Sequence, residues 1–399
     1  MLKKISLVFI LCSIACSEKP KKSEQSAIDN QNKVAQFFAE MEARALEQPY
    51  HGIFTEEGEP EGLFPIFSTG VSTKPIVESA VAFIGILSNE QRQKILFPID
   101  DPEWRKWSNV DNGIYKRQGM SLKMMDTAQK KAAFKLLQAS LSAKGLQLSK
   151  DIMKTDQTLR ELNDNSADYD ENLYFFTIMG EPSATAPWGW QLDGHHLVIN
   201  YFVMGDQIVM SPVFMGAEPV LTTTGKYKGN TLFQDEQNLG LGLMRSLDDA
   251  QRKKAIIATR KVQNNNVAAA NKDNLTLNYQ GLSVSEFNEG QKETLLHLID
   301  QYVANMREGH HDIKMEEVSQ YLNQTSFAWV GDTSENAVFY YRIHSPVLLI
   351  EFDHQIAVGI PGANKEVPTR NHIHTVVRTP NGNDYGKRLL EQHLEAHHR

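Results

Sequence analysis

Apolar and polar positions follow two periods along this chain. Segments bounded by turn-formers and rich in Val, Ile, Phe, Tyr and Trp read as strands. They fall at about 173–179, 187–192, 196–204 and 207–215, and again at 325–330, 337–344, 347–353 and 372–379. Gly205-Asp206 supplies a tight turn in the first set and Ser345-Pro346 one in the second. The stretch 355–371, with Gly359, Pro361, Gly362 and Pro368, reads as a loop inside the last hairpin. Helical spacing predicts helices at 29–47, 74–86, 89–96, 126–144, 248–261, 288–306, 314–322 and 386–397. Helices followed by antiparallel strands, twice over, imply an α+β fold rather than a parallel α/β sheet.

Four helix starts share one signature. Ser88, Asp126, Asp248 and Asn288 are each followed three positions later by Gln, the spacing of a capping box, and each is preceded by an apolar residue. The first two starts lie 38 residues apart and the last two 40 apart. Downstream, Phe176-Thr177-Ile178-Met179-Gly180-Glu181 aligns with Phe327-Ala328-Trp329-Val330-Gly331-Asp332 at an offset of 151. The same register pairs Trp190 with Tyr341, Leu197-Val198-Ile199 with Leu348-Leu349-Ile350, and Tyr201 with Phe352. We therefore expect two related halves, 33–230 and 231–399, packed as one globular unit.

The N-terminus changes the picture of where the chain works. Met1-Leu2-Lys3-Lys4 is basic, and Ile5–Ile14 is almost wholly apolar but too short to span a bilayer. Ser13-Ile14-Ala15-Cys16 resembles a lipobox, with Ser at the usual Leu position. The expectation is a signal peptide over 1–16 and lipidation at Cys16; an ordinary secretory cleavage nearby is the alternative. Polar residues 17–32 read as a solvated tether. The expected location is the bacterial cell envelope, with membrane contact through the lipid only. Cys12 and Cys16 are the only cysteines, so a lipidated chain keeps no thiol, and any metal site must use His, Asp or Glu. The net charge of -8 comes with dispersed basic residues, which argues against nucleic acid as a partner.

Thirteen histidines then draw attention. His372 and His374 lie two apart on an expected strand and so share a face. Glu351 and Asp353 share a face of the neighbouring strand. Two imidazoles and two carboxylates suit a divalent transition metal: zinc, iron, manganese or copper. The alternative is that the pair only makes hydrogen bonds in a polar layer. His195 and His196 open a strand, where neighbours face opposite sides, so one of them could join the site and the sequence leaves open which. Arg370, Arg378 and Asp384 flank the pair, and the last helix carries His393 and His397. His310-His311 reads as a helix-end cluster. Gly-x-Ser-x-Gly, Walker and dinucleotide motifs are absent.

Pro187-Trp188-Gly189-Trp190, Gly194-His195-His196-Leu197, Tyr340-Tyr341-Arg342-Ile343, Glu351-Phe352-Asp353, His372-Ile373-His374-Thr375-Val376 and Asn383-Asp384-Tyr385-Gly386 form an ordered series of blocks. In order and spacing the series resembles a widespread family of exported proteins catalogued as a domain of unknown function, number thirty-five hundred. The resemblance covers roughly 35–398 and implies no settled activity. The chain departs from it at His354, where the family often has Asn, and in a longer loop before the His-Ile-His block.

Two functions remain in view. In the first, a metal-dependent envelope enzyme (hydrolase or oxidoreductase) binds its ion through His372, His374 and Glu351 or Asp353. His195 or His196 is then a fourth ligand or general base, and Arg342 or Arg378, with Asp384, serves a small-molecule substrate. In the second, a non-catalytic lipoprotein holds a small ligand or metal in a cleft between halves lined by Trp188, Trp190, Tyr340 and Tyr341. A metal-free hydrolase ranks last, for want of a nucleophile.

Overall fold

The computed structural model describes residues 22–397, with side chains from 29 to 396. Cys16 and the signal-like segment lie outside the described residues. Helix α1 is Lys22–Leu46, so residues 22–32 of the expected tether are helical.

The first half then runs β1 (Gly52–Phe54), α2 (Lys74–Gly85), α3 (Asn89–Ile95), β2 (Leu96–Phe97), β3 (Met120–Ser121), α4 (Thr127–Ser140) and α5 (Ala143–Leu162). Four long strands follow: β4 (Tyr174–Met179), β5 (Trp188–Gly194), β6 (Leu197–Met204) and β7 (Gln207–Ala217). The second half runs α6 (Gln234–Ser246), α7 (Asp249–Ala255), β8 (Ile256–Ala258), β9 (Asn274–Thr276), β10 (Leu282–Ser283), α8 (Glu289–Val303) and α9 (His310–Gln320). Its long strands are β11 (Ser326–Gly331), β12 (Phe339–His344), β13 (Leu349–Ile356) and β14 (Pro368–Arg378), and α10 (Lys387–His397) closes the chain.

One sheet crosses both halves in the order β10-β11-β12-β13-β14-β7-β6-β5-β4-β2. Each half contributes an antiparallel meander, and the two meet where β14 pairs with β7. Short strands dock equivalently at each end. β2 runs parallel to β4, and β8 parallel to β11, so the α+β sheet is mixed.

Local chemistry explains the helix starts. All four capping boxes form, each N-cap side chain accepting from the backbone amide of its Gln. The glutamine amides also bind one another in pairs. Gln129 Nε2 donates to Gln91 Oε1 at 2.9 Å, and Gln291 Nε2 donates to Gln251 Oε1 at 2.9 Å. Core pairs recur too. Trp190 stacks on Tyr201 at 5.1 Å and Tyr341 on Phe352 at 5.0 Å, the pairs aligned by the offset of 151.

Two expected helices end early. The one beginning at 127 stops at Ser140, because Ser142 caps a new helix by accepting from the Gly145 amide. The helix beginning at 249 gives way to β8 at Ile256. Helix α5 beyond residue 144 falls outside the expected helices, and so does helix α6. Its N-cap, Phe233, is left-handed and makes no side-chain cap, so it carries none of the usual start signals.

The sheet has two differently covered faces. Helices lie on one: Phe83 of α2 meets Phe176, and Tyr302 of α8 meets Tyr341 through their hydroxyls at 2.5 Å. Irregular chain covers the other. Trp104 accepts from Gln191 Nε2 through its carbonyl, and Ala268 accepts from Arg378 Nε through its carbonyl. No helix among the described residues is long and apolar enough to cross a membrane.

A candidate three-histidine metal centre

The centre sits where the halves join, on the loop-covered face. His372 and His374 both project from β14, as alternation on a strand requires. The third member comes from the turn between β5 and β6. His195 and His196 lie in that turn, not on a strand, and His196 has a φ of 58°. Their rings consequently do not face opposite sides; they stack at 3.9 Å. The turn is held by its backbone: His196 N donates to the Asn109 carbonyl, and Gly216 N donates to the His196 carbonyl at 2.8 Å.

The result is a convergence of three Nε2 atoms. The separations are 2.9 Å for His372 and His374, 3.1 Å for His374 and His196, and 3.3 Å for His372 and His196. A tetrahedral ion about 2.0–2.1 Å from each nitrogen would space them by roughly 3.3 Å. His372 Nδ1 lies 2.8 Å from the Ile356 carbonyl, which can only accept, so the ring proton is on Nδ1 and Nε2 offers a lone pair. Burial holds all three imidazoles below their ordinary pKa, His196 and His374 furthest, and neighbouring histidines push the same way. Neutral rings whose lone pairs meet at these distances repel unless a proton or a cation lies between them. His196, His372 and His374 are thus a buried group that could hold a metal ion.

Close packing sets the ring positions. Gly216 lies across the ladder from His374, and a β-carbon there would come within 3.0 Å of the His374 ring and 3.3 Å of the His196 ring. Phe214 meets the His374 ring edge-on at 4.8 Å. Glu218 stands 3.6 Å from His372 Nδ1, and its two oxygens accept from the amides of Val358 and Gly359 at 2.9 and 2.8 Å. Glu218 thereby ties the loop after β13 to the centre.

His195 is the other histidine of the turn and is not one of the three. Its Nδ1 lies 2.5 Å from Asp156 Oδ1, and the Tyr174 hydroxyl lies 2.9 Å from Asp156 Oδ2. Burial alone would lower the His195 pKa, but the Asp156 carboxylate outweighs it, so the net shift is upward. Among the described residues nothing hydrogen-bonds His195 Nε2. The arrangement is an imidazole oriented by a carboxylate, with its second nitrogen free to take a proton.

The other residues named from sequence lie elsewhere. Asp353 is opposite His374 in the ladder, but its carboxylate turns to the covering chain. It accepts from Asn265 N at 2.6 Å and pairs with Lys261 at 3.0 Å, and burial pushes its pKa up to about 7. Glu351 accepts from Val267 N and Ala268 N, both at 2.9 Å, and from the Tyr340 hydroxyl at 2.6 Å. These carboxylates pin the 261–268 segment and are not in the histidine group. Arg378 is fully buried between Asp273 and Asp384, at 2.8 and 3.0 Å. Arg342 donates to Gln280 Oε1. Neither guanidinium joins the histidines. His354 accepts from Phe339 N and contacts Gln237, so it is a core contact. Trp188, Trp190, Tyr340 and Tyr341 are buried within the sheet.

Sequence reasoning missed Asp156 and Glu218. Asp156 had a signal: it lies on the α5 face that also carries Ile152, Met153 and Leu159, all buried. A carboxylate on an apolar helix face needs a partner. Glu218, at the end of β7, had none.

Taken together, this is an α+β protein built on one mixed sheet, with a three-histidine group where its halves meet. The chain belongs to the family described as Protein of unknown function (DUF3500), whose model matches residues 69–387. No curated protein and no solved structure matches it.

Proposed function

We propose that this chain is a metal-dependent hydrolase, with His196, His372 and His374 as ligands and His195 as the proton acceptor. The convergence of three Nε2 atoms at 2.9 to 3.3 Å, with the His372 proton committed to Ile356, carries the reading. Three protein nitrogens leave a coordination position open for substrate, and a bound divalent ion supplies Lewis acidity there. An all-imidazole set favours zinc, copper or iron over manganese, which prefers carboxylates. Zinc implies hydrolysis; iron or copper would imply oxygen chemistry. Asp156 orients His195 and stabilises its protonated form, so His195 can take a proton at Nε2 and return it. With Arg342 and Arg378 bonded elsewhere, the site has no guanidinium of theirs to anchor an anionic substrate.

Metal analysis of the purified full chain tests this. We expect about one equivalent of zinc, lost in the His372→Ala/His374→Ala double variant. Folded protein that takes up no zinc, copper or iron from solution would overturn it.

Two further readings belong with this one. The first 16 residues support export and lipid attachment at Cys16, which intact-mass analysis of the membrane-extracted chain would reveal as an added diacylglycerol. The shared element order, the paired glutamines and the equivalent stacked aromatics support an origin of the two halves by duplication.

A further inference from the structure

Alternation along β14 and β7 gives the central strands a second face. Behind the histidines, Thr375, Val377, Val213 and Met215 point to the helix side and line a cavity of about 440 Å³. Its other walls come from α8, α9 and the strap 62–69. Small-molecule sites usually occupy about 300–1,000 Å³, so this one is large enough for a ligand rather than a few waters. Most of the lining is apolar, with Phe64, Val209, Met210, Phe233, Val303 and Met306 prominent.

The polar groups define what could enter. Lys314 is held by Glu317 at 2.7 Å and by the Val347 carbonyl at 2.9 Å, and the exposed Glu316 lies beside it. Burial raises the pKa of Glu236, which favours its neutral form. The lining therefore offers an anion no uncommitted cation. Three buried residues in it carry atoms without a partner: Asn305 Oδ1, Asn383 Oδ1 and His310 Nδ1. His310 Nε2 lies 3.1 Å from the Asp206 carbonyl and so holds the ring proton, which leaves Nδ1 an acceptor. All three unpaired atoms accept. The terminal amide torsions of Asn305 and Asn383 are soft enough to turn their oxygens toward a ligand.

We propose that this cavity binds an uncharged, mostly apolar small molecule bearing a hydroxyl or N–H donor, at a site separated by the sheet from the histidine centre. The wall nearest solvent is preformed. Phe67 N donates to Gln207 Oε1, Gln207 Nε2 donates to the Pro65 carbonyl, and Asp206 accepts from Ser68, Thr69 and Gly70. Ile66 and Phe67 stand exposed on this strap, at 47% and 49%.

The test is titration of the full chain with N-phenyl-1-naphthylamine, a neutral apolar fluorophore with one N–H. We expect saturable one-to-one enhancement, reversed by 1-dodecanol if the cavity takes a chain or by indole if it takes a ring, and at least tenfold less by dodecanoate. Val213→Trp and Val303→Trp fill the cavity from opposite walls, and each should weaken binding at least tenfold without changing metal content. If one fails to unfold cooperatively, the other gives the same readout. Absence of saturable binding, displacement by dodecanoate as good as that by the better of the two neutral competitors, or full affinity in a folded filled variant would overturn the proposal. None of these readouts depends on metal, so failure here is distinct from failure of the hydrolase reading.

Discussion

Gly216 and His374 are opposite one another across the β14–β7 ladder, and the missing side chain of the first makes room for the ring of the second. A β-carbon on Gly216 would also lie 2.8 Å from the Ile373 carbonyl, so the backbone blocks it as well as the rings. Gly216→Ala should displace the imidazoles and lower metal affinity at least tenfold. Overpacking of this kind costs about 1–3 kcal/mol of stability. A chelator-competition titration alongside thermal unfolding separates the two effects. Unchanged metal affinity would mean the rings are set by something other than this contact.

Arg378 is a stability residue in this structure. Its guanidinium joins Asp273, Asp384 and the carbonyls of Ala268 and Ala269. Arg378→Met leaves Asp384 buried without its cation and Asp273 with Arg105 alone, a loss of about 3–5 kcal/mol. Whatever fraction remains folded should keep full metal stoichiometry, as measured by urea unfolding and metal analysis of the same sample.

The glutamine pairs make a comparative prediction. Gln291→Ala removes half of a capping box, one side of a part-buried amide pair and a bond to the Ser246 carbonyl, and Gln129→Ala removes the first two in the other half. Each should cost on the order of 1–2 kcal/mol. Denaturant midpoints should fall in both variants, more for Gln291→Ala by its extra bond to Ser246, and a larger fall in Gln129→Ala would show that the two boxes are not energetically equivalent.

Glu103 should govern part of the pH dependence of stability. It is buried with one oxygen unpartnered and Lys106 3.9 Å away, and burial raises its pKa from 4.5 to about 8. Between those values the unfolded chain has lost the proton and the folded chain holds it. Folded protein binds more protons there, so stability falls as pH rises and levels off above about 8. Glu103→Gln abolishes this slope. The variant should exceed the parent by on the order of 1–3 kcal/mol at pH 8, with the gap closing toward pH 4.5. Equal slopes in the two pH–stability curves would contradict the assignment.

Local patterns in the sequence determined much of this. Runs rich in Val, Ile, Phe, Tyr and Trp between turn-formers placed all eight long strands, because strands covered on both faces are apolar along nearly their whole length. Capping chemistry fixed four helix starts, because the N-cap bond closes within three residues. The pairing of His372 with His374 was legible locally too: two positions along one strand share a face. The partners of that pair were decided only by tertiary structure. Asp353 is directly opposite His374 in register, yet its carboxylate is drawn to Lys261 and the Asn265 amide, groups about 90 residues earlier in the chain. His196 reaches the pair from 178 residues before His374, because a left-handed turn residue and a meeting of two meanders bring it there. Short-range sterics and hydrogen bonding leave their mark within a few residues. Which ring nitrogen comes to lie 3 Å from another across the junction of two halves depends on how the sheet closes, and no local stretch of sequence records that.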